Sequence, residues 1–204
     1  MLLYLVRHGE TDWNLQHRIQ GSTDIPLNDT GRAQALTTAK LLARRRWDAV
    51  VASPLSRAFE TAQIIAAELG LPAPTPDGGL VERNYGGAEG MTYSDMAERF
   101  PEGVHVPGRE ERADVAARAI PTLVKIAQHH PDQAVIVVSH GGLIRSVLGA
   151  VDPDGVHGRI TNGSVHSLRF VDGSFSLIAF DDPIEAETAS GEDVREQNPA
   201  EAGR

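Results

Sequence analysis

The chain has 204 residues, 41% of them apolar and 23% charged, and its 28 acids against 19 lysines and arginines give a net charge of −9. That length supports one substantial core, the composition is that of a soluble globular protein, and no run nears the roughly 18 apolar residues of a membrane span. The acidic balance argues against nucleic acid as a partner, and the absence of cysteine excludes disulfides, thiolate metal sites and cysteine nucleophiles.

Leu2–Val6 is an apolar run that reads as a buried strand. Because the start is needed in the core and lacks the basic flank and small-residue cleavage site of a secretion signal, a cytoplasmic location is expected. Helical spacing at Ala33, Leu36, Ala39, Leu41 and Leu42 predicts a helix over Thr30–Arg46, and Asp48–Ala52 reads as the next strand. Ser53-Pro54 opens a second helix whose stripe runs through Ala58, Ala62, Ile65 and Leu69 to a C-capping Gly70, and a Pro- and Gly-rich loop follows from Leu71 to Gly79. The weakly patterned stretch 86–112 is a candidate lid.

A third helix is expected over Ala113–His129, then a purely apolar strand Ala134–Val138 of the parallel kind, then a helix over Gly141–Leu148. Ser164–Val171 and Ser174–Phe180 alternate around Asp172-Gly173, a hairpin signal. The sum is an α/β fold with an antiparallel edge, in a single domain over 1–180. From Asp181 the chain turns acidic and poor in large apolar residues, so 181–204 is expected to be a mobile tail. The strand Asp48–Ala52 or the final hairpin offers an edge through which two copies could pair as a homodimer.

Chemistry enters at strand ends. Arg7-His8-Gly9-Glu10 follows the first strand, which places a planar cation and a neutral nucleophile where open α/β sheets build their sites, and that pairing suggests phosphoryl transfer onto histidine. Ser139-His140-Gly141-Gly142 repeats the design after the strand Ala134–Val138, with glycines that let backbone approach a ligand. Arg57 falls on the first turns of a helix that starts at the sheet's carboxyl edge, positioned to join Arg7 across a phosphate.

Arg7-His8-Gly9-Glu10-Thr11, Trp13-Asn14, Ser53-Pro-Leu-Ser-Arg57-Ala, Glu82 with Tyr85-Gly86 and Glu89-Gly90, and Ser139-His140-Gly141 together resemble, in order, the histidine phosphatase superfamily that includes the cofactor-dependent phosphoglycerate mutases. The likeness runs from Leu2 to about Phe180. It implies a phosphoglycerate mutase-like α/β/α sandwich, three layers around a mostly parallel mixed sheet, with His8 as the residue that becomes phosphorylated. Arg7, Arg57 and His140 would hold the phosphate oxygens, with Asn14 and the Gly141 backbone as further donors, and the second nitrogen of His8 would bond to backbone such as Gly9.

One branch of the superfamily places an aspartate just after its second histidine; here Gly141-Gly142-Leu143 stands there, which disfavours that branch. Glu82 instead matches the glutamate of the mutase and small-phosphatase branch, which protonates the leaving oxygen and then takes a proton from water. Arg83 and Tyr85 match the substrate site of the mutases, but the mutases have lysine at Tyr93, asparagine at Gly142 and a longer insertion before the second histidine. The expectation is therefore a phosphatase of small phosphomonoesters, with a phosphoglycerate mutase as the alternative and a noncatalytic phosphate-binding or scaffolding module as the reading from a different class. Substrate choice is assigned to Thr23, Ile25, Tyr85 and the 91–112 excursion. No metal or nucleotide cofactor is expected, since neither metal-ligand spacing nor a phosphate-binding glycine loop occurs.

Overall fold

A computed structural model describes residues 1–155 and 157–184. Strand β1 spans Leu2–Arg7, and its alternation sends Leu3 and Leu5 to one face and Tyr4 and Val6 to the other, all fully buried. A single turn, α1 (Asp12–Leu15), is closed by a reciprocal cap between Thr11 and Asn14. Helix α2 spans Asp29–Leu42 behind an Asn28 cap and ends four residues earlier than predicted. Its end is set by Trp47, whose indole N–H donates to the Leu42 carbonyl at 2.7 Å and whose ring packs edge-on against Tyr4. The buried stripe of α2 is Gly31, Ala35, Thr38, Ala39 and Leu42; Ala33 and Leu36, expected in the core, are exposed.

Strand β2 (Ala49–Ala52) leads into α3 (Ser56–Glu68), which ends with Gly70 at φ +65°. There Gly70 N–H donates to Ala67 O and Leu71 N–H to Ala66 O, the paired bonds of a glycine-terminated helix. The stretch 71–79, expected to be loop throughout, contributes a two-residue strand β3 (Thr75–Pro76) that pairs with β2. Within 86–112 lies a further unexpected element, α4 (Tyr93–Arg99), capped reciprocally by Thr92 and Asp95. The excursion has a small apolar cluster of its own, Ile19, Ala88 and Val106 with Tyr85, Met96 and Phe100 against it.

Helix α5 (Arg112–His129), strand β4 (Ala134–Ser139) and helix α6 (Gly141–Val151) follow, and β5 (Val165–Val171) and β6 (Ser174–Ala179) form the hairpin. The sheet order is β3-β2-β4-β1-β5-β6, parallel from β3 to β1 and antiparallel beyond. Val51 and Ala52 are therefore flanked on both sides, and the expectation that Asp48–Ala52 offers a free edge is corrected over those two residues; β3 and β6 end the sheet.

Helices α2 and α3 cover Tyr4, Val6, Val50, Ala52, Ile136 and Val138, while α5 and α6 cover Leu3, Leu5, Val51, Val135 and Val137. Both faces of the central strands are buried, so they read as continuous apolar runs. Each fully buried large apolar side chain contributes about 1.5–3 kcal/mol. The chain also stays packed beyond Phe180. Asp182 N–H donates to Val165 O at 2.8 Å and Ile184 is buried on the α2–α3 side, so the start of the expected tail is corrected over 181–184; the rest of it, 185–204, lies outside the described residues. No helix among the described residues is long and apolar enough to cross a membrane.

Candidate active site

Register builds the site. Arg7, the last residue of β1, pairs with Ser139, the last of β4, and His8 N–H donates to Ser139 O at 3.0 Å, so the residues after the two strands lie side by side. The rings of His8 and His140 are 5.1 Å apart, and both residues are buried. One strand over, Ser53 N–H donates to Val138 O, which brings the Ser53 hydroxyl 2.8 Å from His140 Nε2.

His8 Nδ1 lies 2.6 Å from Gly9 O, an acceptor only, so the ring proton sits on Nδ1 and Nε2 keeps its lone pair. Burial above all, then the charges of Arg7 and Arg57, hold His8 well below the ordinary imidazole range, with the Gly9 bond opposing. Burial, then Arg57, His8 and Arg7, does the same for His140, so both rings are neutral at physiological pH. His140 Nε2 is engaged by the Ser53 hydroxyl, and its Nδ1 is a buried atom without a partner among the described residues.

Two guanidinium groups complete the cage. Arg57 is fully buried; its Nη1 donates to Thr23 O at 2.9 Å and its Nη2 to Gly21 O at 2.8 Å. Arg7 Nη1 donates to Ile160 O at 2.8 Å. The Nε of each arginine is buried and unpartnered among the described residues, and the ion pair of Arg57 with Asp24 is long, at 3.9 Å. Two buried guanidinium Nε donors and the His140 Nδ1, all left open beside the His8 lone pair, are a structure prepared for an anion. Thr61 supports both halves, accepting from Gly9 N–H and donating to Arg57 O.

His8, Arg7 and Arg57 line a cleft of about 540 Å³, whereas His140 is absent from its wall and lies behind it against the His8 ring. Seven arginines line it (Arg7, Arg18, Arg57, Arg83, Arg112, Arg145 and Arg159) against two acids, Glu10 and Glu82, in a chain whose net charge is −9. Such a cleft focuses a positive potential on an otherwise acidic molecule. Among the described residues there is no group of three or more His, Asp or Glu side chains that could hold a metal ion.

Residues 3–183 match the family model of the histidine phosphatase superfamily, branch 1. The chain belongs to that family. It is 40% identical over 171 residues to the uncharacterized phosphatase PhoE of Bacillus subtilis, covering 82% of this chain and 88% of the relative. It is 34% identical to the metal-independent phosphoserine phosphatase of Arabidopsis thaliana, covering 88% and 81%. A solved mycobacterial glucosyl-3-phosphoglycerate phosphatase in complex with VO3 superposes with a TM-score of 0.80 at 31% identity, over 88% of this chain and 98% of that one.

The other predicted site residues of this histidine phosphatase fall in two groups. Asn14, Gly141, Glu82, Arg83 and Tyr85 line the cleft. The Asn14 carbonyl oxygen accepts from Thr11 N–H and from Asn162 Nδ2, which leaves its own Nδ2 free to donate. Glu82 spans the first turn of α6: Oε1 accepts from Leu143 N–H at 2.9 Å and Arg83 N–H at 2.7 Å, and Oε2 from Gly142 N–H at 3.0 Å. Burial, then the charge of Glu82, pushes the Tyr85 hydroxyl up to about 12, so it stays a neutral donor, and Arg83 stacks over its ring. Thr23 and Ile25, by contrast, are absent from the cleft wall, and the Thr23 hydroxyl is turned to Glu89 at 2.5 Å.

Asn162, Ser53, Arg145 and Arg159 were not assigned from sequence. Asn162 donates to His8 O at 3.0 Å and so fixes the backbone of His8. Its only signal is its place just ahead of the strand antiparallel to β1. Ser53 could have been found from its position after β2, beside the second histidine. Arg145 and Arg159 carry no local pattern and join the cleft through the tertiary fold alone.

Proposed function

We propose that this histidine phosphatase hydrolyses a small phosphorylated metabolite, with His8 Nε2 as the nucleophile. The observation that carries the reading is the Gly9-fixed His8 tautomer inside a cage of open donors. Arg7, Arg57, His140 Nδ1–H, Asn14 Nδ2 and Gly141 N–H hold the nonbridging oxygens as their charge builds. The Nε2 lone pair forms the N–P bond as the P–O ester bond breaks, and its electron pair leaves on the alcohol oxygen, which takes a proton from Glu82. Water then attacks phosphorus, gives a proton back to Glu82 and releases His8. Every group that neutralises charge in this scheme is a side chain or amide of the chain itself.

The alcohol is best read as a phosphorylated hydroxy acid or its sugar conjugate. Both phosphoserine and glucosyl-3-phosphoglycerate, named for two relatives, carry a carboxylate near the phosphate, and the arginines beyond Arg7 and Arg57 suit such a group. Hydrolysis is favoured over mutase chemistry because exposed Tyr93 and the small Gly142 stand where the mutases have lysine and asparagine. The test is a panel of phosphate esters, including labelled ones quenched in base. An acid-labile label on His8 and a loss of phosphate release by at least about 10³-fold in His8→Ala are expected. Undiminished release in that variant refutes the nucleophile, and rapid interconversion of phosphoglycerates with almost no free phosphate refutes the choice of hydrolysis.

A further inference from the structure

We propose that Glu89 is a positioning residue: it holds the Arg57 guanidinium through the backbone of loop 21–23 and ties that phosphate clamp to the leaving-group wall at Tyr85. This rests on the assignment of Arg57 to the phosphate. Arg57 meets no carboxylate closely among the described residues; the groups that orient it are two carbonyls, Gly21 O and Thr23 O. A loop carbonyl is only as fixed as its loop. Here the N–H groups of Ser22 and Thr23 both rest on one carboxylate, Glu89, while the next residue, Asp24, accepts from Ser56 N–H and its hydroxyl.

Glu89 Oε1 accepts from Ser22 N–H at 3.0 Å and from Tyr85 N–H at 3.1 Å, and Oε2 accepts from Thr23 N–H at 3.0 Å and from the Thr23 hydroxyl at 2.5 Å. The loop lies flush against it: Gly21 is at φ +57°, and a Cβ there would fall 2.1 Å from Glu89 Oε1. Burial opposes ionisation of Glu89, but the bonds from Thr23, Ser22 and Tyr85 outweigh it and keep the carboxyl below its ordinary range. The loop presents the Gly21 and Thr23 carbonyls to Arg57 and the Ser22 and Thr23 N–H groups to Glu89. Moving the carboxylate therefore moves both hydrogen bonds that aim Arg57. Glu89 is absent from the cleft wall, so its influence on bound phosphate passes through these neighbours.

Glu89→Gln keeps the shape but swaps one acceptor oxygen for an NH₂ group that faces N–H donors, so at least one backbone donor loses its partner. The full chain and the variants Glu89→Gln, Arg57→Ala and the double variant are compared by kcat/KM on p-nitrophenyl phosphate and by competitive inhibition with inorganic phosphate. The expected result is a loss of about tenfold for Glu89→Gln in both readouts, shrinking to less than about twofold when Arg57 is already alanine. A purely structural staple would give the same factor in both backgrounds, and that result overturns the proposal, as does full activity in Glu89→Gln. If Glu89→Gln does not fold, Thr23→Val removes one donor to Oε2 and is expected to lose a few-fold, again only when Arg57 is present; equal losses overturn the proposal. No loss in Arg57→Ala itself instead overturns the clamp on which it rests, while His8→Ala tests the hydrolase reading separately.

Discussion

Gly142→Ala separates Glu82, the proposed proton donor, from the rest of the site. A Cβ on Gly142 would lie 2.6 Å from Glu82 Oε1 and 3.0 Å from the Tyr85 hydroxyl oxygen. Carbon and oxygen in contact need about 3.3–3.5 Å, so Glu82 must retreat by about 0.7 Å or more. Its carboxylate is the far end of a flexible side chain, so the retreat costs little in stability. Alanine also gains up to about 1 kcal/mol over glycine in a helix, which offsets the lost hydrogen bonds, and the melting temperature should hardly change. Activity is another matter. General acid catalysis is worth roughly 10²–10⁴-fold, and a displacement near 1 Å can cost about 10²-fold. An alkyl phosphate, whose alkoxide needs a proton, should therefore lose about 30- to 100-fold in kcat/KM. p-Nitrophenyl phosphate, whose phenolate leaves unaided, should lose no more than about threefold. Steady-state assays on the two esters, with a thermal melt of each protein, give the ratio directly. Equal losses on both would mean that Glu82 is not the leaving-group acid.

Two further predictions concern stability. Gly31→Ala would place a Cβ 2.1 Å from Glu10 O, backbone against backbone, so overpacking of about 1–3 kcal/mol should outweigh the helix-propensity gain; a urea midpoint at or above that of the parent chain refutes this. His166 is held neutral at a pKa of about 4 by burial first and by the charge of His157 next. Against an unfolded value of about 6.5, its contribution is whole above pH 6.5 and falls as pH drops toward 4, by about 3 kcal/mol in all. His8 and His140 are shifted in the same direction and steepen the loss. Urea unfolding at pH 7.5, 6 and 4.5 should show His166→Gln losing less stability than the parent over that range, and a constant difference between the two proteins would contradict the assignment.

The sheet was legible because its central strands are apolar on both faces, and the strand-end histidines were legible because a residue after a strand inherits the strand's register. Elements without a long apolar period were not. β3 has two residues, and α4 offers Met96 and Phe100 with its Thr92–Asp95 cap as its whole signal. Ala33 and Leu36 were misassigned because a helix stripe can be drawn through either of two overlapping sets of apolar residues, and the close approach of Gly31 to Glu10 selects the other one. The specificity reading named Thr23 and Ile25 without their side-chain directions, and that of Thr23 is set by Glu89, 66 residues away.

That division has a physical cause. His8, His140 and the two guanidinium groups sit on, or one turn beyond, strands paired in parallel, so a short local pattern fixes where they end up. What orients them comes from elsewhere: Asn162 on the His8 carbonyl, Ser53 on His140, the 21–23 carbonyls on Arg57. Orientation decides which nitrogen an imidazole turns to the site. Gly9 engages Nδ1 of His8 and Ser53 engages Nε2 of His140, so the two rings leave opposite nitrogens open although their strands and burial are alike. Exchanging those partners would leave the fold intact and remove the chemistry.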